Sequence, residues 1–183
     1  NIQRPRLYVM MMFITICAGD NAILTATPSI PGGVYTWNPG GIGPQTISMN
    51  PLSNSTVDVT YEVNGCTSTV VSSQITVNPL PVVTFSADTL LGCSPISVYL
   101  SADVFSASSD YVWNISNGVS QTGATVNVTF STGGSYDVTL SVTENGCYNT
   151  STVQNYIYVE DPPTAMFTPS INTCLLYTSP SPR

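Results

Sequence analysis

The sequence predicts an all-β chain built from tandem antiparallel β-sandwiches. Three observations predict it. The chain repeats itself, apolar residues within each copy recur with period two, and a Cys…Trp…Cys pattern returns with the same spacing.

The repeat is punctuated by two proline-rich linkers, Asn78-Pro79-Leu80-Pro81 and Glu160-Asp161-Pro162-Pro163. Proline holds a short connection extended and semi-rigid. The first copy opens with Cys17-Ala18-Gly19 and the second with Cys93-Ser94-Pro95. Tyr35-Thr36-Trp37 answers Tyr111-Val112-Trp113, and Trp stands 20 positions after Cys in both copies. Asp58-Val59-Thr60 answers Asp137-Val138-Thr139, and both copies close on Asn-Gly-Cys, at Cys66 and Cys147. Thr164 opens a third copy, in which Phe167 and Cys174 match Phe85 and Cys93. The expected organisation is one sandwich at residues 14–79, a second at 82–160, and the start of a truncated third at 164–174. Residues 175–183 (LLYTSPSPR) resemble a translated sequencing adapter and are expected to be a non-native tail without regular structure. The chain starts on Asn1, so the natural N-terminus is expected to lie elsewhere.

Within each copy the elements follow in order. Residues 7–17 read as an opening strand; after two arginines they could pass for a signal-peptide core, but no small-residue cleavage site follows. Residues 22–26 and 96–102 alternate apolar and polar, as a half-buried strand does. Ile47 and Met49 in the first copy, and Val126, Val128 and Phe130 in the second, make the next core-facing rows. Gly133-Gly134 supplies a turn. Val57, Val59, Tyr61 and Val63, then Tyr136, Val138, Leu140 and Val142, form the longest alternations. The expected core anchors are Tyr35, Trp37, Trp113, Tyr136, Val138, Leu140 and Val142. Short strands at turn-punctuated intervals with Cys…Trp…Cys read as an immunoglobulin-like sandwich. A unit of this size is marginal alone and gains from a crosslink. The matched cysteine positions predict one disulfide inside each sandwich, Cys17–Cys66 and Cys93–Cys147.

Residues 82–160 resemble a PKD-type domain. Tyr136-Asp137-Val138-Thr139-Leu140-Ser141-Val142 fits that family's Tyr-x-Val-x-Leu-x-Val strand. Where the family reads Trp-x-Phe-Gly-Asp-Gly, this chain has Trp113-Asn114-Ile115-Ser116-Asn117-Gly118, and Asn117 suits a turn. Residues 14–79 resemble the Ig-like repeats found beside PKD domains in large surface proteins of gliding, surface-colonising bacteria. The residues carrying that likeness are Cys17-Ala18-Gly19, Tyr35-Thr36-Trp37, Asn64-Gly65-Cys66 and the run from Thr76 to Pro81. The resemblance implies tandem immunoglobulin-like (PKD-type) sandwiches, exported by a sorting domain outside this sequence.

Composition narrows function. Arg4, Arg6 and Arg183 are the only basic residues, and there is no Lys or His, against 10 acids. Displacing phosphate counterions needs cations, so no nucleic acid is expected as partner. No apolar run approaches the length of a membrane span, so no membrane insertion is expected. Without His or Lys there is no Ser–His triad, Ser–Lys pair or Schiff base. No catalytic residue, cofactor or metal site is expected. Asp103 and Asp110 are the nearest thing to a carboxylate pair, and they read better as solvated loop acids. Calcium could draw on Glu160 and Asp161, or on Asp103 and Asp110, but no Asp-x-Asp-x-Asp run exists. Trp37 and Trp113 read as core rather than sugar platforms, leaving Tyr148 and Tyr156 as stacking candidates. Asn54, Asn114, Asn127 and Asn149 head glycosylation triplets, expected to be unused in a bacterial protein. Widely spaced cysteines fit an oxidising, extracellular compartment or the bacterial cell surface. The expected function is a non-catalytic spacer or binding segment of a large cell-surface or secreted adhesin-like protein. Its partner would be an extracellular polysaccharide or a surface protein. The alternative is an accessory region of a secreted hydrolase, and a third reading is an enzyme with two buried carboxylates.

Overall fold

A computed structural model describes residues 14–168, together with the backbone of residues 7–9. Every regular element among them is a strand. The first run is β1 (Leu7–Val9), β2 (Ile14–Cys17), β3 (Ala22–Pro28), β4 (Val34–Asn38), β5 (Gly41–Gly43), β6 (Thr46–Met49), β7 (Ser55–Val63), β8 (Cys66–Thr67) and β9 (Val71–Asn78). The second is β10 (Phe85–Ala87), β11 (Leu91–Cys93), β12 (Ile96–Ala102), β13 (Ser109–Ile115), β14 (Ser120–Thr122), β15 (Thr125–Phe130), β16 (Gly134–Glu144) and β17 (Cys147–Glu160).

The two runs fold alike. In the first, a sheet ordered β1-β3-β6 packs on one ordered β2-β9-β7-β4-β5, with β8 on β7. In the second, β10-β12-β15 packs on β11-β17-β16-β13-β14. The stretch read as one opening strand serves both sheets: β1 pairs antiparallel with β3, whereas β2 pairs parallel with β9. The second run does the same with β10 on β12 and β11 parallel to β17. Gly133-Gly134 carries the chain from one sheet to the other, because β15 pairs with β12 and β16 with β13 and β17.

Alternation places the cores. Ala22, Leu24 and Ala26 of β3 meet Trp37, Val57, Val59 and Ile75 from the facing sheet. Val98, Leu100, Val126, Val128 and Phe130 meet Trp113, Val138, Leu140, Val142 and Ile157 in the second core. Of the expected anchors all are buried except Tyr35, which is half-buried with its ring 4.8 Å from that of Tyr61. A buried indole needs a partner for its N–H. Trp37 Nε1 donates to Pro44 O and Trp113 Nε1 to Gly123 O, each at 2.9 Å.

Phenols pin the loops. Tyr61 Oη donates to Ile30 O at 2.7 Å and accepts the Gly33 N–H at 2.6 Å. Tyr111 Oη accepts the Ser106 N–H at 2.8 Å, and Tyr136 Oη donates to Thr132 O at 2.7 Å. Asn117 Oδ1 accepts the Val119 N–H while Gly118 takes the positive φ of 87°. The turn expected after Trp113 therefore forms without an aspartate.

Candidate functional site

The cysteines define the site, and they correct the expected pairing. Cys17 is bonded to Cys147, with Cα atoms 5.5 Å apart and a sequence separation of 130. Cys66 and Cys93 are free thiols. Neither Cys17–Cys66 nor Cys93–Cys147 forms, and strand direction is the reason. Cys17 ends β2 level with Asn78, at the linker end of the first sandwich. Cys66 lies opposite Val63, at the far end of β7. The nine residues of β7 span roughly 30 Å between those ends, and a disulfide tolerates a Cα separation of no more than about 7 Å. In the second sandwich Cys93 is level with Glu160 and Cys147 opposite Glu144, at the two ends of β17.

What the bond joins is the junction between the sandwiches. Cys147 follows the tight turn Asn145-Gly146, whose φ values of 50° and 79° suit Asn and Gly. That turn meets the end of β9, where Asn78 Nδ2 donates to Asn145 O at 3.1 Å. Asn149 Nδ2 donates to Pro81 O at 2.8 Å, tying the linker to β17. Proline has no N–H of its own, so its carbonyl is the group left to bond. Cys147 is fully buried, and Cys17 is half-buried. Chemically the junction is a clamp: one covalent bond and two amide hydrogen bonds across a linker stiffened by Pro79 and Pro81.

The acids act as acceptors for the fold. Asp161 takes the Gly133 N–H at 2.7 Å and the Ser94 hydroxyl at 3.1 Å. Asp137 takes the Asn155 N–H at 2.8 Å, holding the irregularity that shifts register between Tyr136 and Val138. Asp58 accepts the Ser72 hydroxyl at 2.6 Å. Asp103 and Asp110 are both exposed, unlike the buried pair that the enzyme reading required. Among the described residues no three His, Cys, Asp or Glu side chains come together as a metal site. Among them, too, no helix is long and apolar enough to cross a membrane, which says nothing about strands.

Of the aromatic candidates, Trp37 and Trp113 are interior, which removes them as stacking platforms. Tyr148 is exposed, and hydrogen bonds from Ser141 and Thr150 lower its phenol pKa. Tyr156 is half-buried with its ring edge-on to Phe85; burial raises its pKa, and the Asp103 charge adds to the rise. Sequence reasoning missed Phe105. Its ring is 71% exposed and stacks on Tyr111, the planes 4° apart, beside an open groove of about 580 Å³ that Asp110 also lines. The signal for it was an apolar pair, Val104-Phe105, in a stretch with no alternation.

Comparison with known proteins bears on the fold. No curated protein sequence matches the chain. The crystal structure of the N-terminal eight Ig domains of Down Syndrome Cell Adhesion Molecule aligns with 92% of this chain at 12% identity and a TM-score of 0.58. The chain spans 25% of the length of that structure. The crystal structure of Rst D1-D2 aligns with 87% of this chain and 100% of its own, at 9% identity and a TM-score of 0.40. At residues 78–159 the sequence matches the family model of the PKD domain. With the architecture above, this makes the chain an all-β protein of immunoglobulin-like sandwiches that carries a PKD/Ig-like domain.

Proposed function

We propose that this chain is a non-catalytic extracellular spacer and binding segment of a large bacterial cell-surface or secreted adhesin-like protein. The observation that carries the reading is the Cys17–Cys147 bond between the sandwiches. A spacer works by holding its ends at a set distance, and a covalent clamp across a proline-stiffened linker suits that task. Structural disulfides persist in oxidising compartments, which supports an extracellular place. Its partner would be a surface protein or an extracellular polysaccharide. Small-angle X-ray scattering before and after reduction tests the spacer. The oxidised chain should give one sharply bounded maximum dimension, and reduction should broaden the distribution; identical profiles would reject the clamp. Labelling intact producing cells with an impermeant reagent tests the compartment, and a wholly internal, reduced pool would reject it.

A second reading, accessory contact with polysaccharide on behalf of a secreted hydrolase, is favoured by the exposed Phe105 ring beside its groove. Sugar faces stack on such rings. Affinity electrophoresis in gels cast with soluble polysaccharides should show retardation that Phe105→Ala abolishes; equal mobility in every gel would remove this reading.

A further inference from the structure

We infer that the Cys17–Cys147 bond is one instance of a repeating junction, and that Cys66 and Cys93 are its two open halves, each made to bond a further repeat of the same kind. Cys93 would bond the cysteine of an Asn-Gly-Cys turn. Cys66 would bond the cysteine that ends another repeat's edge strand.

Positional equivalence carries the inference. Cys17 ends β2 in parallel register with Asn78, and Ala18 N donates to Asn78 O at 2.9 Å. Cys93 ends β11 in parallel register with Glu160, and Ser94 N donates to Glu160 O at 2.8 Å. On the other side, Cys147 pairs with Glu144 across Asn145-Gly146, and Cys66 pairs with Val63 across Asn64-Gly65. Those turns match, with φ of 50° and 79° in one and 52° and 71° in the other. Each free cysteine therefore has the backbone setting of one member of the bonded pair.

Their settings differ in cover and in the residue level with the strand-end cysteine, which is Asn78 beside Cys17 and Glu160 beside Cys93. Cys147 is fully buried where the first sandwich docks against it, whereas Cys66, in the same place on its own sandwich, is only half-buried. Cys17 is half-buried and Cys93 exposed. The linker chemistry recurs as well: Asp161-Pro162-Pro163 stands after β17 as Pro79-Leu80-Pro81 stands after β9. Pro163 thus matches Pro81, whose carbonyl accepts from Asn149. The free thiols lie at the two outer ends of the sandwich pair, away from the junction, and are of opposite kind, so the joint propagates head to tail.

The bond forms when two thiols give two protons and two electrons to a small-molecule disulfide. Oxidised glutathione serves, and leaves as two reduced molecules. A second copy of this chain supplies the test, because its first sandwich presents Asn64-Gly65-Cys66. A chain carrying Cys66→Ser keeps Cys93 alone, and a chain carrying Cys93→Ser keeps Cys66 alone; Cys174→Ser in both removes a competing thiol. The chains are mixed at about 1 mM, the effective concentration that a short linker would provide, in a glutathione redox buffer. The expected result is a mixed dimer joined Cys93–Cys66 by peptide mapping, in about tenfold excess over either homodimer, with the preference abolished in urea. Absence of the mixed dimer, or homodimers in equal yield, would overturn the inference. Either failure would leave the spacer reading standing, since that rests on the bond already formed at Cys17 and Cys147.

Discussion

Removing both bonded cysteines, as Cys17→Ser with Cys147→Ser, should weaken the first sandwich most. When that sandwich unfolds alone, the bond closes a loop running from Cys17 to the start of the second sandwich, about 65 residues, and chain-entropy reasoning gives about 4 kcal/mol. When both unfold, the loop is the full separation of 130 residues, and the figure rises only to about 5 kcal/mol, because closure entropy grows with the logarithm of length. With a urea dependence of about 2 kcal/mol per molar, the first sandwich of the double variant should melt about 2 M earlier. Each sandwich holds a single tryptophan, so fluorescence in Trp37→Phe and Trp113→Phe backgrounds reads them separately. Midpoints that coincide with and without the bond would refute the reasoning. So would a peptide map of the oxidised chain showing Cys17 joined to Cys66.

Other outcomes follow from single side chains. Tyr61→Phe removes the hydroxyl that bonds Ile30 O and the Gly33 N–H, and leaving those groups unpaired should cost about 1–3 kcal/mol; an unchanged urea midpoint would show that the loop is held by other means. Trp113→Ala deletes a fully buried ring and should cost the second sandwich about 3–5 kcal/mol; native-like chemical shifts and an unchanged melt would contradict the core assignment. Alkali should lower the stability of the fold. Burial first and the neighbouring Tyr61 second raise the Tyr35 pKa above its ordinary value near 10, and burial raises Tyr156 likewise. A folded phenol that holds its proton longer than an unfolded one gives stability that is whole below pH 10 and lost as pH climbs through the folded value. Urea midpoints should therefore fall above pH 10, and a midpoint that stays flat while the phenolate absorbance rises would disprove it.

The sequence made the sandwiches legible because alternation is a local property. Val138, Leu140 and Val142 face one way whatever lies opposite. The tryptophans were legible as core because two copies place them alike. Strand direction was not legible. Cys17 and Cys66 bracket the first copy, and that bracket looks like a bridge until β2 is seen to run parallel to β9, which puts them at opposite ends. Parallel pairing of an edge strand leaves no mark on the edge strand itself, since its side chains alternate either way. The junction was hidden for a similar reason. Asn145 and Gly146 announce a turn, but nothing local says that its tip meets Asn78. The expected third copy's Cys174 and the tail at 175–183 lie outside the described residues, whereas Phe167 lies within them and is exposed.

The bond at Cys17 also sets how the chain carries a load. Tension applied at the two ends enters at residue 17 and crosses directly to residue 147 through sulfur, so the backbone between them bears none of it. That bypassed stretch is 130 residues in sequence separation, or about 450 Å of extended chain at roughly 3.5 Å per residue. Pulled while oxidised, the protein can lengthen only by what lies outside the loop, and both hydrophobic cores sit almost wholly within it. Pulled after reduction, the same molecule can pay out the whole length. A tether built this way is short and stiff in an oxidising medium and becomes compliant when its thiols are released.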